Sequence, residues 1–202
     1  MTEFQMISLI DALKRSGESA VLKVLSSFSS PINNDIEYFL KNTAVQFAKQ
    51  NRSPTTLIYA YTKNEWKLCG YFTLTIKTID VEKGHVSSDL FKKLQKFGMY
   101  DTVTNKISIP VPLIAQLGKN FTDGCDKLIK GDELLKLACD EVRKAQYILG
   151  GKAVYLECED TPNLIKFYEE NGFREFARRH TDEDEKKTLK AKHLVQMIKY
   201  FR

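Results

Sequence analysis

Apolar residues follow two different rhythms along this chain, and the changes between them mark out its elements. Phe4, Ile7, Leu9, Ile10 and Leu13 fall on one face at helical spacing before Ser16-Gly17, so residues 4–15 are expected to form a helix. Ala20 to Phe28 is a second short apolar stretch. Asn33 or Asn34 then caps a helix with Ile36, Phe39, Leu40, Ala44 and Phe47 on its inner face. From Thr55 the pattern becomes extended. Thr56–Tyr61 and Leu68–Ile79 are rich in β-branched and aromatic residues and read as strands, with the turn at Lys63-Asn64-Glu65. Gly70, inside the second, predicts a bulge or the close approach of another backbone or a ligand.

Asp89–Phe97 reads as a short helix. Ile107–Leu117 resumes strand character, with Pro110 and Pro112 limiting its first half to an edge or a bend. Gly131–Leu149 carries the stripe Leu134, Leu135, Ala138, Val142, Ala145 and Leu149, and Gly150-Gly151 ends it. Ala153–Cys158 follows as a buried strand, and Pro162–Glu170 as a helix ended by Asn171-Gly172. Phe173–Ala177 and Leu194–Phe201 are strands, while Arg178–His193 reads as a solvated loop or exposed helix. The order of elements is α, a β-hairpin, then β-loop-α-β-α-β and a last β, an α/β chain with at least one crossover.

With 202 residues and 43% hydrophobic content the chain can bury a substantial core, so a disordered protein is excluded. The 31 Lys+Arg against 26 Asp+Glu give +5, which suits anionic ligands without specifying nucleic acid. No apolar run reaches the ~18–20 residues of a membrane span. The start, Met1-Thr2-Glu3-Phe4, has no basic region of a signal peptide. Cys69, Cys125, Cys139 and Cys158 are scattered, with no metal-ligand spacing to His85, His180 or His193. No metal site is expected, and a reducing cytoplasm is the simplest location.

The stretch from Leu113 to Leu135 holds the candidate chemistry. An apolar strand runs into a polar loop and then a helix, whose first N–H groups and dipole favour an anion. Further on stand Val154-Tyr155-Leu156-Glu157-Cys158-Glu159 and Phe167-Tyr168-Glu169-Glu170-Asn171-Gly172-Phe173. Together with Cys69-Gly70-Tyr71-Phe72, and in this order, these pieces resemble the GNAT superfamily of acetyl-CoA-dependent N-acetyltransferases over roughly residues 35–177. The resemblance implies a GNAT-like acyl-CoA N-acyltransferase fold: a mixed twisted sheet of about six to seven strands with flanking helices. It implies one domain over 1–202, with a helical N-terminal extension (1–33), an N-terminal half (34–112), an acetyl-CoA-binding core (113–177) and a charged segment with the last strand (178–202).

By that resemblance the backbone of Leu117, Gly118 and Lys119 would pair with the pantetheine amides, Gly118 admitting the ligand closely. The pyrophosphate would meet the N–H groups around Ile129, Lys130, Gly131, Asp132 and Glu133. Lys127 and Ile129 stand where the family has glycines. Asp132 and Glu133 have a plainer role as acids favoured by the helix dipole. Tyr168 would protonate the departing thiolate, a phenol of pKa ~10 facing a thiol of ~8–9. Glu157 or Glu159 would accept the amine proton, and Thr161 and Asn163 would touch the cofactor.

The resemblance implies direct transfer of acetyl from acetyl-CoA to a primary amine through a ternary complex. The N-terminal half also looks like the GNAT toxins of bacterial toxin–antitoxin pairs, which acetylate aminoacyl-tRNA. The basic residues Arg174, Arg178, Arg179, Lys186, Lys187, Lys190 and Lys192 are compatible with tRNA, although Asp182-Glu183-Asp184-Glu185 interrupts them. An antitoxin or a second copy of the chain is then a possible partner. The competing class is a non-catalytic module that binds acyl-CoA or a protein.

Overall fold

A computed structural model describes residues 3–183, 185 and 191–201. It contains strands β1 (Phe4–Ser8), β2 (Thr55–Thr62), β3 (Glu65–Glu82), β4 (Met99–Asp101), β5 (Lys106–Lys119), β6 (Ala153–Glu159), β7 (Arg174–His180) and β8 (His193–Tyr200). The helices are α1 (Leu9–Ser16), α2 (Glu18–Ser26), α3 (Asn34–Asn42), α4 (Ala44–Lys49), α5 (Ser88–Leu94), α6 (Gly131–Leu149) and α7 (Pro162–Glu170). The eight strands are hydrogen-bonded in the order β1-β2-β3-β5-β6-β8-β7, with β4 on β5. Apart from the parallel β5–β6 pair, the pairings with a defined register are antiparallel. No described helix is long and apolar enough to cross a membrane.

The chain forms two compact units, one of residues 1–75 and 115–138, the other of 76–114 and 139–202. In the first, the expected helix over 4–15 is corrected. Residues 4–8 pair antiparallel with β2, Phe4 opposite Ala60 and Ser8 opposite Thr56, and only from Leu9 does the chain coil. A short stretch with apolar residues at both spacings is settled by whichever partner offers a ladder, and here β2 does. The helix expected across 36–47 is also two, broken at Thr43, where φ is −120°. Asn33 caps α3 with its side chain accepting from the Asp35 and Ile36 amides. Leu9, Leu25, Phe28, Leu40, Leu57 and Tyr71 anchor this unit's core.

Glycines set the tightest packing in this unit. The register of β2 on β3 shifts opposite Gly70, the expected bulge. A Cβ at Gly70 would sit 2.9 Å from the Gly118 carbonyl oxygen and 3.2 Å from Leu134 Cδ2, so strand end and helix start both close on this residue. A Cβ at Gly118 would fall inside the Ile36 side chain and 3.4 Å from Tyr71. Gly118 is therefore a packing glycine, its open side filled by Ile36 of α3 rather than kept for a ligand. Asn120 closes the strand. Its amide donates to the Leu68 carbonyl (2.8 Å), and its side-chain oxygen accepts from the Ser29 (3.0 Å) and Thr122 (3.1 Å) amides.

The second unit is built on Ile79, Phe91, Ile107, Val111, Tyr155 and Ile198. β5 runs from Lys106 to Lys119 through Pro110 and Pro112, slightly longer than the expected Ile107–Leu117. The prolines fall between the β4 register, which ends at Ser108, and the single β6 pair, Leu113 with Tyr155, so their missing N–H groups interrupt neither. β7 continues to His180, beyond the expected end at Ala177, because β8 pairs with it as far as His193. On α6 the stripe is shorter than its pattern: Val142 is buried, whereas Leu149 is 77% exposed. Gln146 takes the inward place and donates to the Ala153 carbonyl at 2.6 Å.

Replacing Gly118 with Ala should lower unfolding free energy by about 1–3 kcal/mol, the usual range for overpacking. The cost should shrink in the Ile36→Ala background, read as a positive coupling in a double-mutant cycle by chemical denaturation. Equal costs in both backgrounds would show that Ile36 does not set the constraint.

Candidate functional site

Each unit carries one set of the residues singled out from the sequence. In the first, Leu117 and Lys119 are half-buried at the end of β5, and Gly118 is buried between them. A 3₁₀ turn, Thr122–Lys127, follows, with Asp123 and Gly124 in the left-handed region (φ 52° and 72°). Ile129 is buried at 1% exposure, so the side chain standing where the family has a glycine serves as core. Lys130, Asp132 and Glu133 are exposed around the half-buried Gly131. The Glu133 carboxylate accepts from the Lys130 amide at 2.8 Å. One of the amides expected to face a phosphate is thus already capped, and Glu133 acts as the dipole-favoured acid of the helix start.

In the second unit, β6 presents Glu157 and Glu159, and α7 presents Thr161, Asn163 and Tyr168. Thr161 is the N-cap of α7, its amide donating to the Glu159 carbonyl at 2.7 Å while its side chain makes no cap hydrogen bond. Thr161 and Asn163 are both exposed. Tyr168 is 8% exposed, packed edge-on against Phe167 (5.0 Å) and Phe173 (5.8 Å). Its carbonyl accepts from the Phe173 amide at 3.0 Å, which fixes the helix end beneath it. Burial, then the nearby Cys158, raises the Tyr168 phenol well above its ordinary value, so it keeps its proton throughout the physiological range. The Cys158 thiol is itself pushed up to about 12, first by burial and then by Glu175 and neighbouring acids. It is an inert core thiol, and all four cysteines are buried and free.

Glu157 is not the loose carboxylate that its position at a strand end suggests. It accepts from Arg179 through both oxygens (2.8 and 2.6 Å), from Lys77 (3.0 Å) and from the Tyr155 hydroxyl. Gln196 donates to that hydroxyl at 2.7 Å. Burial opposes the charge on Glu157, but the hydrogen bonds from Arg179, Tyr155 and Lys77 outweigh it and pull the carboxyl down to about 2. Such a group accepts a proton poorly near neutrality, so Glu157 acts as a fixed negative charge. Arg179 also clasps Glu185 (2.6 and 2.8 Å).

These partners were missed in the sequence because Lys77, Arg179 and Gln196 come from three other strands. The one local signal was the spacing of Tyr155 and Glu157, which puts them on one face of β6. Arg178 is likewise taken up, by Glu175 (2.7 Å) and Asp160 (2.5 Å). Lys186, Lys187, Lys190 and Asp184, the rest of the mixed run, lie outside the described residues, as do Met1, Thr2 and Arg202.

No protein-family model matches the chain, and no curated protein matches it in sequence. Solved structures do. AtaT complexed with acetyl-methionyl-tRNAfMet aligns over 96% of this chain and 94% of its own, with a TM-score of 0.60 and 17% identity. The chain has the GNAT fold. A tyrosine-to-phenylalanine variant of KacT matches over the same shares at TM-score 0.60 and 15% identity. A tyrosine-to-phenylalanine variant of the AtaT toxin, bound to the C-terminus of the antitoxin AtaR and acetyl-CoA, matches at 0.58 and 14% over 96% of this chain and 91% of that one. Among the described residues the sheet has eight strands where about six to seven were expected; β1 and the short β4 are the additional ones.

Glu157 generates a pH prediction. Its folded-state pKa lies below its unfolded one, so its contribution is complete above the ordinary value near 4.5 and is lost as pH falls toward about 2. At ~1.4 kcal/mol per pH unit that is on the order of 3 kcal/mol. Glu157→Gln should flatten the fall in stability across this window, measured by denaturation at successive pH values. A variant with the slope of the parent protein would place the acid sensitivity elsewhere.

Proposed function

We propose that this protein is an acetyltransferase of the GNAT toxin type, moving acetyl from acetyl-CoA to the α-amino group of an aminoacyl-tRNA. The observation that carries the reading is the full-length likeness to a toxin solved with an acetylated aminoacyl-tRNA. A similar toxin solved with acetyl-CoA and an antitoxin supports acetyl-CoA as co-substrate and an antitoxin as partner.

The residues divide the work as follows. The Leu117–Lys119 backbone pairs with the pantetheine amides, a role consistent with a β5–β6 register that consists of Leu113 and Tyr155. Gly131, Asp132 and Glu133 offer the amides of the α6 start to the pyrophosphate, with Lys130 as a side-chain cation. Thr161 and Asn163, exposed at the start of α7, contact the cofactor. Glu159 takes the proton of the attacking ammonium. The amine then adds to the thioester carbonyl, and the C–S bond breaks as the tetrahedral adduct collapses. Tyr168 donates its proton to the departing sulfur, and the phenolate so formed takes up the second proton that the nitrogen sheds as it becomes the amide. The raised pKa of Tyr168 keeps the phenol protonated until the sulfur leaves, and the same dry surroundings raise the thiol's affinity for the proton.

A second reading, a non-catalytic acyl-CoA module, draws on the Lys130 amide already capped by Glu133. One experiment separates the two. Labelled acetyl-CoA is offered with aminoacyl-tRNA, polyamines and peptide N-termini. Label is expected on aminoacyl-tRNA, with Tyr168→Phe lowering turnover by roughly 10²–10⁴-fold at nearly unchanged acetyl-CoA affinity. Acetyl-CoA binding with no labelled acceptor would favour the module. Label confined to polyamine or peptide would remove the tRNA reading.

A further inference from the structure

Arg178 and Arg179 of the basic run are spent on internal carboxylates, and the second unit holds other cations that are not, Arg174 of that run among them. Arg143 of α6 lies over the Phe201 ring at 4.7 Å, and Lys199 of β8 approaches the same ring at 5.8 Å. The Lys199 ammonium donates to the Asn171 carbonyl at 2.8 Å, at the turn between α7 and β7. Arg174 also reaches that turn, donating from Nη1 to the carbonyls of Phe173 (3.0 Å) and Glu169 (3.3 Å). Arg143, Phe201, Lys199, the turn and Arg174 are thus linked by successive contacts.

Two features distinguish these cations from their neighbours. Lys144, Lys166, Arg178 and Arg179 each face a carboxylate, whereas among the described residues Arg143, Lys199 and Arg174 face none. They also keep donors in hand. An ammonium has three N–H groups and a guanidinium five, and the bonds above occupy one nitrogen of Lys199 and one of Arg174. The acids on the same elements are mostly engaged: Glu141 with Lys144, Glu170 with Lys166, and Asp140 within the protein, which leaves Glu169 as the exposed carboxylate closest in sequence to the turn.

We propose that Arg143, Lys199 and Arg174 are a contact strip for the phosphate backbone of the acceptor tRNA. This inference rests on the aminoacyl-tRNA reading above and adds to it a surface made of residues outside the transfer chemistry. The chemistry fits a polyanion: unneutralised cations with spare donors bind phosphate oxygens in sequence-independent fashion and release counterions as they do so. Arg179 and Arg178 contribute little, because their donors and charge are already committed to carboxylates.

The test is tRNA binding measured against salt concentration, with acetyl-CoA affinity followed in parallel. Arg143→Gln and Arg174→Gln are each expected to weaken tRNA and to reduce the slope of log affinity against log salt by roughly 1, leaving acetyl-CoA affinity unchanged. Lys144→Gln, on the same helix but paired with Glu141, should leave the slope in place. Lys199 also holds the α7 end through the Asn171 carbonyl, so the two exposed arginines carry the test. Parent-like slopes in the double variant Arg143→Gln/Arg174→Gln would overturn the strip alone. A parent protein that binds acetyl-CoA but no tRNA would overturn the aminoacyl-tRNA reading and the strip with it.

Discussion

The close backbone approach at Gly70 and Gly118 is the constraint on which the first unit depends. The Gly118 carbonyl and the Leu134 side chain both occupy space that a Cβ at Gly70 would need, and Ile36 fills the space above Gly118. One point thereby joins the middle of β3, the end of β5, α3 and the first turn of α6. The Tyr71 hydroxyl, donating to the Ile36 carbonyl at 2.6 Å in a fully buried setting, holds α3 to the same place. Any role for the β5 end or the α6 start in ligand binding inherits its geometry from this packing. That is why a glycine at 118 says more about the helix lying on it than about a ligand.

In the second unit the organising interaction is electrostatic. A carboxylate 12% exposed is tolerable only if its lost hydration is replaced, and Glu157 receives two bonds from Arg179 together with Lys77 and Tyr155. The network ties β3, β6, β7 and β8 together within this unit and fixes the charge at the strand end beside Glu159. It also separates the two acids of β6 by environment: one held ionised by its partners, the other in a partly exposed position with no comparable clamp. Tyr168 stands at the opposite extreme, with no countercharge and strong burial, which holds it neutral.

Charge patterning shows how far composition can mislead. The run from Arg174 to Lys192 looks like a mixed patch in sequence, yet in space Arg178 and Arg179 are consumed by Glu175, Asp160, Glu157 and Glu185. Among the described residues, the cations left without carboxylate partners include Arg143, Arg174 and Lys199 from three elements far apart along the chain.

The sequence by itself determined the elements whose signals are local. The α6 and α7 helices end at Gly150 and Gly172, where positive φ demands glycine, and the buried β6 strand is a continuous apolar run. Gly70 announced its bulge, and the ordered motifs through Gly172-Phe173 pointed to the GNAT fold. What only the tertiary structure decided was everything set by a distant partner. β1 is a strand because β2 offers it a ladder, and β5 passes two prolines because its neighbouring registers leave them room. Gly118 is filled by Ile36, and Glu157 is a fixed charge because three other strands supply its donors. Local spacing encodes dihedral preference and one-sided burial; it does not encode which group from across the sheet will fill a space or neutralise a charge.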